Sequence, residues 1–209
     1  MLKRVVLASK NRGKIAEIAA VLSDLPVDIV GVDDYPGLPE VEEDGADFRE
    51  NALKKARVVA EYTGEMALAD DSGLIVESLR GAPGVYSARY AGLHASDEEN
   101  IEKLLKDLNG VPDEKRAAAF QCVLVLYEPD GRYEVFEGRW NGRIATAPHG
   151  RGGFGYDPVF LLLERGVTVA ELTPGEKNRL SHRGQALEKL KAYVRRQIAS
   201  GESGRSAAW

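Results

Sequence analysis

Two apolar runs, Ala117 to Tyr127 and Tyr133 to Ile144, flank the tetrapeptide Glu128-Pro129-Asp130-Gly131. Proline presets one backbone angle there and glycine frees another, so the four residues read as a tight turn. The flanking runs carry valines and aromatics at strand density, and the whole segment predicts a long β-hairpin. Strands of that length, joined by so short a turn, commit this part of the chain to an antiparallel sheet. Elsewhere short strands alternate with segments of helical period. Val5-Val6-Leu7-Ala8 predicts a buried strand. Ile15, Ile18, Ala19 and Leu22 then fall at i, i+3, i+4 and i+7 and predict a helix to about Leu22. Val27 to Val30 is a second short strand. A helix from about Asp47 to Glu61 turns Phe48, Ala52, Ala56, Val59 and Ala60 to one side. Ser96-Asp97-Glu98-Glu99 is a capping box; it starts a helix with Ile101, Leu104, Leu105 and Leu108 inward, stopped by Asn109-Gly110 and Pro112. Thr173-Pro174-Gly175-Glu176 starts another helix, with proline in the first turn. The last helix points Leu187, Leu190, Val194 and Ile198 at the core. Strand–helix units beside an antiparallel hairpin make an α/β chain with a mixed sheet.

Few groups in the chain are suited to chemistry. Met66-Ala67-Leu68-Ala69 predicts a buried strand that ends at Asp70-Asp71-Ser72-Gly73, with a turn at Gly73 before Leu74-Ile75-Val76 resumes. Neighbouring side chains on a strand face opposite ways. One aspartate is therefore expected to face a cleft while nearby donors tie down the other. A carboxylate so placed can hold Mg²⁺ or activate water; a solvated turn would use the same residues for turn chemistry. Ser9-Lys10-Asn11-Arg12-Gly13-Lys14 lies between a strand and a helix, where free N–H groups and the helix dipole favour phosphate; a capped helix start with solvated lysines would use the same residues. It is not a Walker loop, because the upstream glycine is missing and Ile15 follows Lys14. A proline- and glycine-rich loop from Gly31 to Gly45 carries Glu40, Glu42, Glu43 and Asp44, and can supply a second carboxylate for a metal at Asp71. Lys55 lies beside the apolar face of its helix. The irregular Gly81 to Tyr90 stretch is either a surface hairpin or a lip over a pocket. His149 to Gly155 is dense in glycine and leads into Phe154-Gly155-Tyr156-Asp157-Pro158. Lys177-Asn178 and Ser181-His182-Arg183, taken alone, read as a solvated helix face.

The chain as a whole excludes several classes. It has 209 residues, a single cysteine and a formal net charge of −5. One cysteine allows no intrachain disulfide and fits a reducing cytoplasm. The negative balance argues against nucleic acid as a partner. There is no signal-peptide pattern at the N-terminus and no run long enough to cross a bilayer. Gly201 opens a tail to Trp209 that is mostly small and polar and is expected to be mobile.

Taken together and in order, these stretches resemble the inosine triphosphate pyrophosphatases, which act on non-standard purine nucleoside triphosphates. The resemblance rests on Ala8 to Lys14; Glu42-Glu43-Asp44-Gly45 with Phe48 to Ala52; Ala69 to Leu74; Gly84 to Tyr90; Gly153 to Pro158; and Glu176-Lys177-Asn178 with Ser181-His182-Arg183. Small departures from the family pattern are Lys10 and Asp44. The resemblance implies an α/β fold with an elongated mixed β-sheet flanked by helices, in two lobes around a central cleft. Residues 1–200 would form one such domain and 201–209 a tail. It implies Mg²⁺-dependent hydrolysis of ITP, dITP or XTP to the monophosphate and pyrophosphate, by a cytoplasmic homodimer. By the same resemblance Ser9, Lys10, Asn11, Arg12, Gly13, Lys14 and Lys55 bind phosphates. Asp71 is the general base and a metal ligand, with Glu42 as second ligand and Glu40 and Glu43 as rivals. Ser72 contacts the nucleotide. Phe154 stacks on the purine, with Gly155, Tyr156 and Asp157 shaping its pocket, and Lys177, His182 and Arg183 stand on the 6-oxo side. A pyrophosphatase for modified pyrimidines and a non-catalytic nucleotide sensor are the competing readings.

Overall fold

The computed structural model describes residues 3–201; of the tail expected over 201–209, Gly201 belongs to the last helix and residues 202–209 lie outside the described residues, as do the first two residues of the N-terminal run. Seven strands form one sheet in the order β2-β1-β3-β4-β5-β6-β7. They are β1 (Lys3–Leu7), β2 (Val27–Gly31), β3 (Met66–Val76), β4 (Ala117–Tyr127), β5 (Tyr133–Ile144), β6 (Phe160–Leu162) and β7 (Val167–Thr168). β1 pairs parallel with β2 and β3, and every other pairing is antiparallel. The helices are α1 (Arg12–Leu22), α2 (Phe48–Thr63), α3 (Asp97–Asp107), α4 (Pro174–Leu180) and α5 (His182–Gly201). The hairpin predicted from the Glu128–Gly131 turn is β4 and β5, paired from Tyr127↔Tyr133 to Ala117↔Arg143. This is the mixed α/β sheet that the motifs implied.

Packing separates the sheet into a two-faced half and a distal half. On one face α1 and α5 cover Val5, Leu7, Leu68, Leu124 and Leu126 with Ile18, Leu22, Leu187, Leu190 and Val194. On the other, α2 brings Ala52, Ala56 and Ala60 against Ala67 and Ala69. Alanine on both surfaces leaves no side chain to hold the helix away from the sheet. A third core, with Leu74, Phe120, Ile144 and Phe160, lies under α3 at the far end. Ala19, predicted on the buried face of α1, is exposed; Val21 packs on the core instead.

β3 departs from its prediction, and the departure makes the cleft. It does not end at Ala69 and does not turn at Gly73; it is continuous from Met66 to Val76. Only Met66 to Leu68 pair with β1, whose chain leaves the sheet after Leu7. Beyond that point β3 keeps β4 as its strand partner, with Asp70↔Leu124 and Asp71↔Val123 in register. The aspartates therefore stand where the neighbouring strand stops. Gly73 is required by close approach rather than by turning: a Cβ there would meet the Ser87 hydroxyl, the Gly84 carbonyl and, at 2.9 Å, the Phe48 ring. The six-residue 3₁₀ segment Gly84–Arg89 thus presses on β3, and Leu74 N donates to Ser87 Oγ at 2.9 Å. Gly138 does the same for α5, since a Cβ on β5 at that point would collide with the carbonyl of His182.

Candidate active site

The gap beside β1 opens into a cavity of about 560 Å³. It brings together the Ser9–Lys14 loop, the aspartate pair, Lys55, the Phe154–Asp157 loop and the α4–α5 corner. Among the residues predicted to act, Ser9, Lys10, Asn11, Lys14, Lys55, Asp71, Ser72, Phe154, Gly155, Tyr156, Asp157, Lys177, His182 and Arg183 line it. Three do not. Arg12 is exposed on the first turn of α1, and Glu42 is exposed on the acidic loop. Gly13 lies beneath the Phe154 ring, where a Cβ would come within 2.6 Å of Cδ1. Glu40 and Glu43, the rivals of Glu42, both face the cavity.

Alternation along β3 sends the two aspartates to different work. Asp70 is 1% exposed and fully engaged. Its Oδ2 accepts from Arg183 Nε at 2.8 Å and from Cys122 Sγ at 3.2 Å. Its Oδ1 accepts from Ser72 Oγ at 2.9 Å and pairs with Lys14. Burial pushes the Asp70 carboxyl up, but Arg183 and Lys14 outweigh it and hold the group well below the usual carboxylate range. Asp71 faces the other way. Its Oδ2 accepts from Asn51 Nδ2 at 3.2 Å, and Lys55 Nζ stands 3.5 Å from Oδ1. Burial raises this carboxyl above its ordinary value against the pull of Lys55 and Lys14. A raised carboxylate, buried yet lining a cleft, is suited to accepting a proton.

Lys55 is more tightly held than a helix-face lysine would be. Its Nζ donates to Glu43 Oε1 at 2.5 Å and to the Asp70 carbonyl at 2.8 Å. Arg89 donates to the Glu43 carbonyl at 2.8 Å, so the irregular 3₁₀ segment is a lip over the pocket rather than a surface hairpin. Ser9 Oγ accepts from Asn11 N at 3.2 Å, and Asn11 caps α1 by accepting from Lys14 N at 3.0 Å. This leaves Lys10 exposed on the cavity rim without an ion pair among the described residues.

At the opposite end the α4–α5 corner is buried, contrary to the solvated face expected from Lys177, Ser181, His182 and Arg183. Thr173 caps α4 and Ser181 ends it, so the chain bends and α5 begins at His182. Lys177 Nζ sits 2.5 Å from Asp157 Oδ2 and 2.8 Å from Glu17 Oε1. Arg183 pairs with Glu17 through Nη1 and donates to Ser72 Oγ from Nη2 at 2.8 Å. The Phe154 ring lies over these cations, 4.1 Å from Lys177 Nζ, and its N–H donates to Asp157 Oδ2 at 2.9 Å. Gly155 N donates to Asp97 Oδ2 at 2.6 Å and Tyr156 hydroxyl to the Ser87 carbonyl at 2.8 Å, which ties this loop to α3 and the lip. The His182 ring stacks on Phe120 at 4.8 Å. Burial and the neighbouring Arg183 push its pKa well below the ordinary histidine value, so the imidazole is neutral. Its Nδ1 is the one buried side-chain nitrogen or oxygen among the described residues that lacks a partner.

The match to known proteins is as extended as the site. The model of the Ham1 family matches residues 5–193. This chain belongs to the Ham1 family. It is 54% identical over 191 residues to a Geobacter sulfurreducens protein named dITP/XTP pyrophosphatase, covering 91% of this chain and 96% of that one. A Vibrio cholerae protein of the same name is 50% identical, covering 94% and 98%. A Ham1 protein structure from Coxiella burnetii superposes with a TM-score of 0.87 at 46% identity, covering 94% of this chain and all of that one. A Mycobacterium abscessus structure titled nucleoside-triphosphatase / dITP/XTP pyrophosphatase gives 0.75 at 48% identity, over 90% and 98%. The resemblance drawn from the motifs thus holds across the Ham1 domain.

Within this Ham1 site, sequence reasoning missed Glu17, Asn51 and Asp97. Asn51 carried a readable signal: it falls with Phe48, Ala52, Lys55 and Ala56 on the buried side of α2, where an amide needs a purpose. Glu17 follows Lys14 by three residues and shares its face of α1. Its two partners lie more than 150 positions away, and nothing local foretells them.

Proposed function

We propose that this chain hydrolyses ITP, dITP and XTP to the nucleoside monophosphate and pyrophosphate, clearing these bases from the nucleotide pool before they enter DNA or RNA. What carries the reading is the way charge is shared along the cavity. The cations at the α4–α5 corner each have carboxylates: Lys177 has Asp157 and Glu17, and Arg183 has Asp70 and Glu17. A polyanion gains little there, whereas a neutral base with an acceptor at position 6 can take their remaining N–H donors. At the other end Lys10 has no ion pair among the described residues and is free to meet a phosphate, while Lys14, paired with Asp70, and Lys55, paired with Glu43 and near Asp71, would share their charge with the triphosphate. Phe154 provides the flat face for the purine. An adenine amino group would leave the donors of Arg183, Lys177 and His182 unpaired, a penalty that supports strong discrimination.

Asp71, beside Lys55 at the triphosphate end, is the group to take a proton from a water facing the α-phosphorus. Mg²⁺ fits the residues present: such an ion is commonly held by one or two carboxylates and completes its shell with phosphate oxygens and water. Asp71 supplies one carboxylate. For the second carboxylate, Glu40 and Glu42 are both exposed, and Glu40 alone of the two lines the cavity, whereas Glu43 is already paired with Lys55. When bound, the ion would offset phosphate charge and so lower the barrier to attack. No helix among the described residues is long and apolar enough to cross a membrane. The reading takes the protein as a cytoplasmic homodimer without a nucleic-acid partner.

A nucleotide panel tests it. With Mg²⁺ present, pyrophosphate release from ITP, dITP and XTP should exceed that from ATP, CTP and dTTP by roughly 10²-fold or more in kcat/KM. Equal rates across the panel would defeat base recognition. Faster turnover of pyrimidines would favour the modified-pyrimidine reading, and no release with or without Mg²⁺ would leave a nucleotide sensor.

A further inference from the structure

Lys55 occupies a position that the proposed mechanism does not explain by phosphate binding alone. Its ammonium is enclosed by three oxygens: Glu43 Oε1 at 2.5 Å, the Asp70 carbonyl at 2.8 Å and Asp71 Oδ1 at 3.5 Å. Its side chain is only 12% exposed. A carboxylate–carbonyl–carboxylate cage is what a hard cation wants, and here a side chain of the protein itself fills it. The ammonium so enclosed puts a positive charge where a metal's charge would sit, with the Glu43 carboxylate oxygen at 2.5 Å and the nearer Asp71 oxygen at 3.5 Å. The cage is braced from outside: Arg89 fixes the Glu43 backbone at 2.8 Å, and Asn51 fixes the far oxygen of Asp71 at 3.2 Å.

We propose that Lys55 is a resident stand-in for the metal, which keeps divalent ions off Asp71 until a nucleotide brings one in. The inference rests on the nucleotide-hydrolysis reading above. A divalent ion arriving alone at Asp71 meets a fixed positive charge beside the same oxygen, in a partly desolvated site where such repulsion is strong. An ion arriving on a triphosphate has most of its charge already offset, and the phosphates give the ammonium new oxygens. Lys55 thereby makes the free enzyme refuse the metal and the complexed enzyme accept it. A cleft that held metal without substrate would keep an activated water beside its own backbone; this arrangement withholds the ion until the correct charge partner is present.

Mn²⁺ binding to the nucleotide-free full chain at pH 8, followed by its paramagnetic resonance signal, tests the assignment without reference to turnover. The wild-type protein should bind weakly at this site. Lys55→Met should bind at least tenfold more tightly, Lys55→Arg should keep the wild-type value, and adding Asp71→Asn to Lys55→Met should remove the gain. Equal affinity in wild type and Lys55→Met, or a gain that survives Asp71→Asn, would overturn it. If Lys55→Met fails to give a cooperative melt, wild type decides alone: micromolar Mn²⁺ binding that Asp71→Asn abolishes would refute the proposal, and weak binding unaffected by Asp71→Asn would support it. Failure here leaves the hydrolysis reading untouched, since that is judged by pyrophosphate release.

Discussion

Asp71→Asn is expected to lower kcat on ITP by at least ~10³-fold, because it removes the proton acceptor and a carboxylate for the metal together; a general base by itself contributes roughly 10²–10⁴-fold. Binding of a non-hydrolysable inosine triphosphate analogue should change by less than about tenfold, since the phosphate and base contacts come from other side chains. The amide is nearly the size of the carboxylate, and its oxygen can still accept from Asn51 Nδ2, which lies 3.2 Å from Asp71 Oδ2. The fold therefore has no reason to change, and the melting temperature should stay near that of the wild type. Turnover close to wild type in this variant would remove Asp71 from the proton-transfer role.

Arg183→Met should damage stability and selectivity at once. Arg183 is 2% exposed and faces Asp70, Glu17 and Ser72. Asp70 would lose its strongest neighbour and remain buried with Lys14 as its one cation among the described residues, beside the Ser72 hydroxyl and the Cys122 thiol. Breaking one side of a buried ion-pair network costs about 3–5 kcal/mol, which in a domain of this size lowers the melting temperature by roughly 10 °C. Below that temperature, kcat/KM for ITP should fall by roughly 10–10²-fold through loss of a charged donor to the base. The value for ATP, which gains nothing from that donor, should hardly move. A variant that melts normally and still separates ITP from ATP would show that Arg183 reads nothing.

These two residues also mark how far the sequence could be read. Elements defined by local chemistry were legible to within a residue or two. The Pro129-Asp130-Gly131 turn fixed the β4–β5 hairpin, and Ser96 with Glu99 fixed the start of α3 through a capping box that the structure contains. The motif order located most of the cavity wall. What resisted was decided by partners distant in sequence. β3 looked broken at Asp70-Asp71 because polar residues and a glycine imitate a turn; its continuity comes from β4, some fifty positions away. The polar α4–α5 corner looked solvated because its carboxylates, Glu17 and Asp70, arrive from α1 and β3. Charge complementarity between remote elements leaves no period along the chain. The acidic loop showed the same limit in finer detail: three glutamates within four positions are equivalent as letters, and only folding puts Glu40 and Glu43 on the cavity wall, with Glu40 and Glu42 both exposed and Glu43 half-buried.

The central claim is that one cavity holds a purine at the Arg183 end and a triphosphate at the Lys10 end, with Asp71 directing water to the innermost phosphorus. Hydrolysis of ITP in ¹⁸O-labelled water, with products resolved by mass spectrometry, tests this in a single measurement. The expected products are inosine monophosphate carrying one ¹⁸O and unlabelled pyrophosphate. Label in pyrophosphate, or release of inosine diphosphate with orthophosphate, would mean that water attacks elsewhere and that the geometry has been assigned the wrong way round.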